Sequence, residues 1–261
     1  MKLSIFASGS SGNCLFVSSG ETRLLIDAGI SLRRITASLR ARGTDFSRLT
    51  GILITHAHAD HIAALNMISK YHPVPVFATP GTAQGITDTV PTASGHIHTF
   101  QPGTAFQIGD IDVSSFLTPH DAAESVGYRL FASGKSLSVA TDLGFVPQSV
   151  FDAVCGSDTV VLESNHDVDM LSGGRYPYYL KKRITDGTGH LSNFQTASAL
   201  IENMHPGLRR VWLCHLSEEN NRPEVARKTV EAQLNSAGTA MASDFQLQVL
   251  RRKEPTGPFE I

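Results

Sequence analysis

Thr55-His56-Ala57-His58-Ala59-Asp60-His61 follows directly on the apolar run Gly51-Ile52-Leu53-Ile54. Three histidines and an aspartate crowded at the end of a strand-like segment form a metal-site pattern, because imidazole nitrogens and a carboxylate oxygen together suit zinc, manganese or iron. Residues two apart in an extended segment face the same side, so His56 and His58 can share one ion. Asp60 and His61 fall where the chain turns into the helical-looking stretch Ala63 to Tyr71, so they face a second position close by. Two adjacent metals are the expectation. Burying these groups together without a metal would leave polar atoms unpaired at high cost. An isolated H-x-H pair carries far less, and His96 with His98, between Gly95 and Phe100, is read as ordinary surface.

Working outward, short apolar runs recur at Leu3 to Ala7, Cys14 to Val17, Arg23 to Asp27, Gly51 to Thr55, Val74 to Ala78, Ala105 to Ile108 and Ile111 to Leu117. Runs apolar throughout mark strands covered on both faces, whereas Ile111-Asp112-Val113-Ser114 alternates as a half-exposed strand does. Ser31 reads as the cap of a helix carrying Leu32, Ile35 and Leu39, and Thr79-Pro80 as a cap with proline at the first helical position. The second half repeats the plan, with strands at Val126 to Phe131, Leu137 to Thr141, Thr159 to Glu163, Val211 to Cys214 and Phe245 to Leu250. Its helices are predicted around Pro147 to Ala153, Pro177 to Ile184, Phe194 to Met204 and Pro223 to Ser236. Two such halves predict an α/β chain with paired sheets between helices and a site at the strand ends. No linker composition divides it, so residues 1–252 are expected to form a single domain. A flexible tail is expected over 253–261, where Pro255, Gly257 and Pro258 cluster.

The chain has 261 residues, 41% of them hydrophobic, and a formal net charge of -2, so it has no global basic field. Any nucleic-acid contact must use local patches: Arg33, Arg34, Arg40 and Arg42; Lys181, Lys182 and Arg183; or Arg209 and Arg210. Each is read first as solvated charge on a helix or strand edge. Cys14, Cys155 and Cys214 are odd in number and far apart, which argues against a disulfide framework and fits a reducing cytoplasm. No apolar run suits a signal peptide or a membrane span.

Two metals need more ligands than one cluster supplies. His120, Asp142 and His215 each stand just after an apolar strand, and a carboxylate such as Asp142 can bridge two cations. With Asp27 in Leu24-Leu25-Ile26-Asp27-Ala28-Gly29, these residues resemble the metallo-β-lactamase fold superfamily over nearly the whole chain. The resemblance implies a four-layer αββα sandwich, two mixed sheets flanked by helices. It also implies that His56, His58 and His120 hold one metal, Asp60, His61 and His215 the other, and Asp142 both, with Asp27 orienting ligands from behind. Finer marks are the opening Ser8-Gly9-Ser10-Ser11-Gly12-Asn13, Asp121-Ala122-Ala123, Glu163-Ser164-Asn165-His166-Asp167, Tyr176-Pro177 and Gly189-His190-Leu191-Ser192-Asn193. Together they resemble the YycJ/WalJ group, whose studied members are exonucleases acting on DNA.

Independently of the family, Ser192-Asn193-Phe194-Gln195 fits an S-x-x-Q capping box, so a helix starts just after His190. A helix N-terminus attracts anions, and an imidazole beside it can protonate a leaving alkoxide. Glu163, His166 and Asn193 are expected behind the ligands or against substrate. For His166, a substrate contact and a hydrogen bond to a neighbouring carboxylate stand as equal readings. The Ser8 to Asn13 loop lacks the lysine of a nucleotide P-loop. It either offers backbone amides to a phosphate or simply turns the chain.

The function expected is phosphodiester hydrolysis by two divalent ions, Zn2+ or Mn2+ with Fe2+ also compatible, about 3.5–4 Å apart. Asp60 accepts a proton from the attacking water and His190 assists the leaving oxygen. The substrate expected is nucleic acid, DNA first. The alternatives are a cyclic phosphodiesterase for small phosphoribosyl compounds, a thioester or lactam hydrolase, and a metal-dependent scaffold that binds nucleic acid without cutting it. Oligomeric state is not written in the sequence.

Overall fold

The computed structural model describes residues 1–237 and 245–261. The first half runs β1 (Lys2–Ala7), β2 (Cys14–Ser19), β3 (Thr22–Ile26), α1 (Leu32–Arg40), β4 (Gly51–Leu53), α2 (Ala59–Ile62), α3 (Leu65–Tyr71), β5 (Val76–Ala78), α4 (Pro80–Thr89) and β6 (Ile97–Thr99). The second runs β7 (Ala105–Ile108), β8 (Ile111–Leu117), β9 (Val126–Ala132), β10 (Lys135–Ala140), α5 (Gln148–Cys155) and β11 (Thr159–Glu163). It continues through α6 (Val168–Gly173), α7 (Tyr178–Thr185), α8 (Asn193–Asn203), β12 (Arg210–Cys214), α9 (Pro223–Ser236), β13 (Gln246–Val249) and β14 (Thr256–Glu260).

The strands form two mixed seven-stranded sheets, ordered β14-β1-β2-β3-β4-β5-β6 and β13-β12-β11-β10-β9-β8-β7. In each, antiparallel neighbours give way to parallel ones, from β3 onward in the first and from β10 onward in the second. Side-chain alternation sorts the core into layers. Leu24, Ile26 and Leu53 point inward to meet Tyr128, Leu130, Val139, Val161 and Trp212 of the other sheet. Leu25 and Ile52 point outward, where Ile35 and Leu39 of α1 and Leu65 of α3 cover them. Leu162, Val211 and Leu213 do the same under α5, α8 and α9. The result is the four-layer αββα sandwich, and strands covered on both faces explain the nearly continuous apolar runs.

Three expectations are corrected. Thr256–Glu260 is not a loose tail: it lies antiparallel to β1, Lys2 opposite Glu260 and Leu3 opposite Phe259, and the Phe259 ring stands 5.0 Å from that of Trp212. Composition misled here, because an exposed β1 edge and an apolar anchor outweigh the glycine and proline. Ser31 precedes α1 but makes no side-chain cap hydrogen bond. His98 is exposed, as read, but it lies on a strand absent from the predicted set, β6, with its ring stacked 5.4 Å from Phe77. The capping box at Ser192 and Gln195 forms as read, and Thr79 caps α4. Among the described residues no helix is long and apolar enough to cross a membrane, and the three cysteines are free.

Candidate metal centre

The polar residues picked out by the sequence converge where parallel strands end. Asp27 follows β3, Thr55 to His61 follow β4, His120 follows β8, Asp142 follows β10, Glu163 closes β11 and His215 follows β12. Three of these leave their strands in the left-handed region, with φ of 61° at Asp27, 59° at Asp142 and 53° at His215. Non-glycine residues adopt that conformation at a cost, held by the surrounding structure, and such strain gathers at functional sites. Here the sharp turn brings each side chain back over the strand ends.

Ligand-type atoms gather in overlapping groups, each within 4.8 Å: His56, His58 and His120; Asp60, His61 and His215; His56, His61 and Asp142; and Asp142, Glu163, His190 and His215. Hydrogen bonds from behind set which nitrogen each ring turns inward. His61 Nδ1 lies 2.8 Å from Asp27 Oδ2, which leaves Nε2 facing Asp142 Oδ2 at 3.4 Å and Asp60 Oδ2 at 3.5 Å. His120 Nδ1 meets the Gly189 carbonyl at 3.3 Å, and its Nε2 lies 3.2 Å from His58 Nδ1. His56 Nδ1 contacts Thr55 Oγ1 at 3.1 Å. Thr55 in turn donates its backbone N–H to Asp27 Oδ1 at 2.9 Å, so one buried carboxylate braces the whole turn.

Burial disfavours the charged form of every group here, and the neighbours decide the outcome. Burial and the nearby His61 push His56 well below the usual histidine range. For His61 burial acts the same way, but Asp27 and Asp142 outweigh it and raise it well above that range. Burial raises Asp142, yet His215, His61, His56 and His120 around it hold it well below the carboxylate range.

Glu163 is fully buried and already engaged. Its Oε2 accepts from Leu143 N at 2.7 Å and Leu191 N at 3.3 Å, and its Oε1 accepts from His190 Nδ1 at 2.7 Å. It therefore suits the role of anchor better than that of ligand. Burial lowers His190, but the Glu163 carboxylate overrides it and lifts the imidazole to about 9. His190 lines an open cleft with His120, Asp121, Tyr176, Arg183 and Ser10.

His166 lines a neighbouring groove, and its buried Nδ1 has no hydrogen-bond partner among the described residues. Asn193 does not reach the cleft lining; it is buried and bonds to Ser164 Oγ and Asn221, bracing the start of α8. Sequence reading missed Asn13, whose Nδ2 lies 3.0 Å from His61 Nε2 and 3.4 Å from Asp60 Oδ2. It also gave no role to Asp121, 3.3 Å from His120 Nε2 and tied to Arg183 Nε at 2.7 Å. A polar residue straight after a glycine-rich turn was the available signal for Asn13, whereas no local signal marks the Asp121–Arg183 pair.

The profile described as "Beta-lactamase superfamily domain" matches residues 22–216, a span that holds every residue of this cluster apart from Asn13. Exodeoxyribonuclease YycJ of Bacillus anthracis is 35% identical over 98% of this chain and 97% of its own length. Exodeoxyribonuclease WalJ of Streptococcus pneumoniae is 36% identical over 94% of this chain and 93% of its own. Among solved structures, Zn2+-bound PqqB from Methylobacterium extorquens superposes with a TM-score of 0.72 over 98% of this chain and 100% of that one. At 16% identity, that is a likeness of fold.

Proposed function

This chain belongs to the metallo-β-lactamase superfamily, and from that premise we propose that it is a two-metal nuclease that shortens DNA from an end. It is a metal-dependent hydrolase of phosphodiesters. The exonuclease reading draws on relatives that align over nearly their whole length. The observation that carries it is the meeting, at one cleft, of two ligand groups with a carboxylate-backed imidazole, His190, and the Arg183 guanidinium.

The donor set fits divalent cations. His56 Nε2 and Asp142 Oδ2 are buried with no hydrogen-bond partner among the described residues, an arrangement that is costly unless something else binds them, and His215 turns its Nε2 to Asp142 Oδ1 at 3.4 Å. The mix of imidazole nitrogen and carboxylate oxygen suits zinc or manganese, with iron also compatible. His56, His58 and His120 would hold one ion, Asp60, His61 and His215 the other, and Asp142 would touch both. When bound, such ions offset the charge of a phosphodiester and make water acidic enough to attack at neutral pH.

The chain's own groups do the rest. Burial raises Asp60, but His61 and His215 lower it further, so its carboxylate is ionised and accepts a proton from the attacking water. As water oxygen bonds to phosphorus, the bond to the departing strand breaks. His190 donates a proton to that leaving oxygen, while Glu163 holds its Nδ1 and keeps the ring charged. Arg183, on the cleft wall, offers its guanidinium to a non-bridging phosphate oxygen.

The test incubates the protein, with manganese or zinc, with end-labelled duplex DNA, single strands, RNA and cyclic ribose phosphates, beside His58→Ala. Stepwise loss of nucleotides from a DNA end, abolished in the variant, is the expected result. Turnover of the cyclic phosphates alone would replace the nuclease reading with a small-molecule phosphodiesterase.

A further inference from the structure

Helix α7 is a shared wall. It turns Leu180, Arg183 and Ile184 toward the metal cleft and Tyr178, Lys181, Lys182 and Thr185 toward a second groove on its other side. The segment after it does the same, with Gly189 and His190 in the cleft and Ser192 and Gln195 in the groove. Val168 and Leu171 of α6 close the far side, and Lys181 Nζ donates to the Ser172 carbonyl at 2.6 Å, fixing the width between α6 and α7.

Three features of this groove point to a ligand. His166, only 2% exposed, lines it with a buried Nδ1 that has no hydrogen-bond partner among the described residues. Tyr178 is 80% exposed and Val168 49%, an unusual amount of uncovered apolar surface beside two lysines. Among the described residues no carboxylate lines the groove, and its two lysines give it a local positive charge. Aromatic faces interleaved with basic side chains are how proteins hold unpaired nucleic acid, stacking a base and contacting the phosphate beside it.

Resting on the nuclease reading above, we infer that this groove receives the unpaired end of the substrate strand. One base stacks on Tyr178 with an edge toward His166, and the adjoining phosphate lies against Lys182. A helix with its side chains is about 10 Å across, so a strand passing over α7 from the cleft enters the groove within a few nucleotides of the reacting phosphate. The groove thus favours frayed or tailed ends over blunt ones.

The experiment compares the wild-type protein with Tyr178→Ala/Lys182→Glu and with Tyr178→Phe. Each is loaded with manganese and assayed on a duplex with a single-stranded tail, on the same duplex blunt-ended, and on bis(p-nitrophenyl) phosphate. KM for the tailed duplex should rise about tenfold or more in the double variant, the size of losing one stacked base with its phosphate contact. Turnover of bis(p-nitrophenyl) phosphate, too small to bridge α7, should stay at the wild-type rate, and Tyr178→Phe should keep the wild-type KM. An unchanged KM in the double variant overturns the groove while leaving the nuclease reading in place. A wild-type protein that hydrolyses bis(p-nitrophenyl) phosphate but no oligonucleotide overturns the nuclease reading, and the groove with it.

Discussion

Asp27→Asn tests whether one buried carboxylate governs the proposed metal position at His61. Asp27 accepts from Thr55 N at 2.9 Å and Thr55 Oγ1 at 3.1 Å through Oδ1, and from His61 Nδ1 at 2.8 Å through Oδ2. Asparagine has the same shape and tolerates the left-handed backbone at φ 61°, so the turn itself survives. Its single oxygen satisfies the two Thr55 donors, and its NH2 must then face His61 Nδ1. That nitrogen becomes an acceptor and the ring proton moves to Nε2, the atom directed at Asp60 and Asp142. A protonated Nε2 cannot bind a cation. Losing the group that orients a histidine ligand costs about 10–100-fold in metal affinity, or about 1.4–2.8 kcal/mol at 1.4 kcal/mol per factor of ten. Calorimetric titration of the metal-stripped protein with zinc, against a competing chelator, reads both positions separately. The Asp60–His61–His215 position should weaken by that factor while the His56–His58–His120 position keeps its affinity. Wild-type affinity at both positions would refute the claim that Asp27 sets the His61 tautomer.

Other perturbations give equally sharp outcomes. His190→Ala should retain both metals by elemental analysis yet slow turnover about a hundredfold or more, as loss of a positioned proton donor does; parallel loss of metal would make the residue structural. Gly29→Ala puts a methyl 1.6 Å from the Asp60 carbonyl oxygen, so α2 must shift; metal content should fall at the Asp60 position, with about 1–3 kcal/mol lost from overpacking. Tyr128→Phe removes the hydroxyl that donates to the Ile54 carbonyl at 2.6 Å, leaving a buried acceptor unpaired and costing about 1–3 kcal/mol in denaturant melts. Burial raises the Asp158 carboxyl, but hydrogen bonds from Ser136 outweigh it and hold it below its ordinary value of 3.8. A lowered carboxyl stabilises the fold above its unfolded value and loses that contribution as pH falls through the folded one. The Tm gap between wild type and Asp158→Asn should therefore be full above pH 5 and shrink on further acidification.

Much of the site is legible in sequence because its residues follow apolar strands. Thr55 to His61, His120, Asp142 and His215 each sit where a buried run ends, and parallel strands end at one edge of a sheet. Asp27 stands out for the same reason. Asn13 escapes that logic: it is one polar residue before β2, and its meeting with His61 depends on the packing of two loops. The Asp121–Arg183 pair joins α7 to the loop after β8, a contact no local pattern encodes. His166 looks equivalent to the candidate ligand histidines, since it follows β11 as they follow their strands. The continuation of the backbone, bridged to Ser192, carries it to the far side of α7 instead. Thr256–Glu260 was unreadable because its strand character comes from the free edge of β1 and from Trp212, not from its own residues.

The central claim is that two cations, held by one cluster of this chain, drive phosphodiester cleavage. It is met most directly by titrating manganese into the metal-stripped protein while following nucleotide release from end-labelled duplex DNA, with bound metal counted at each step. Activity that rises only as the second equivalent per chain binds, and that His58→Ala abolishes, is the predicted result. Full activity at one equivalent, or in the His58→Ala variant, would contradict it.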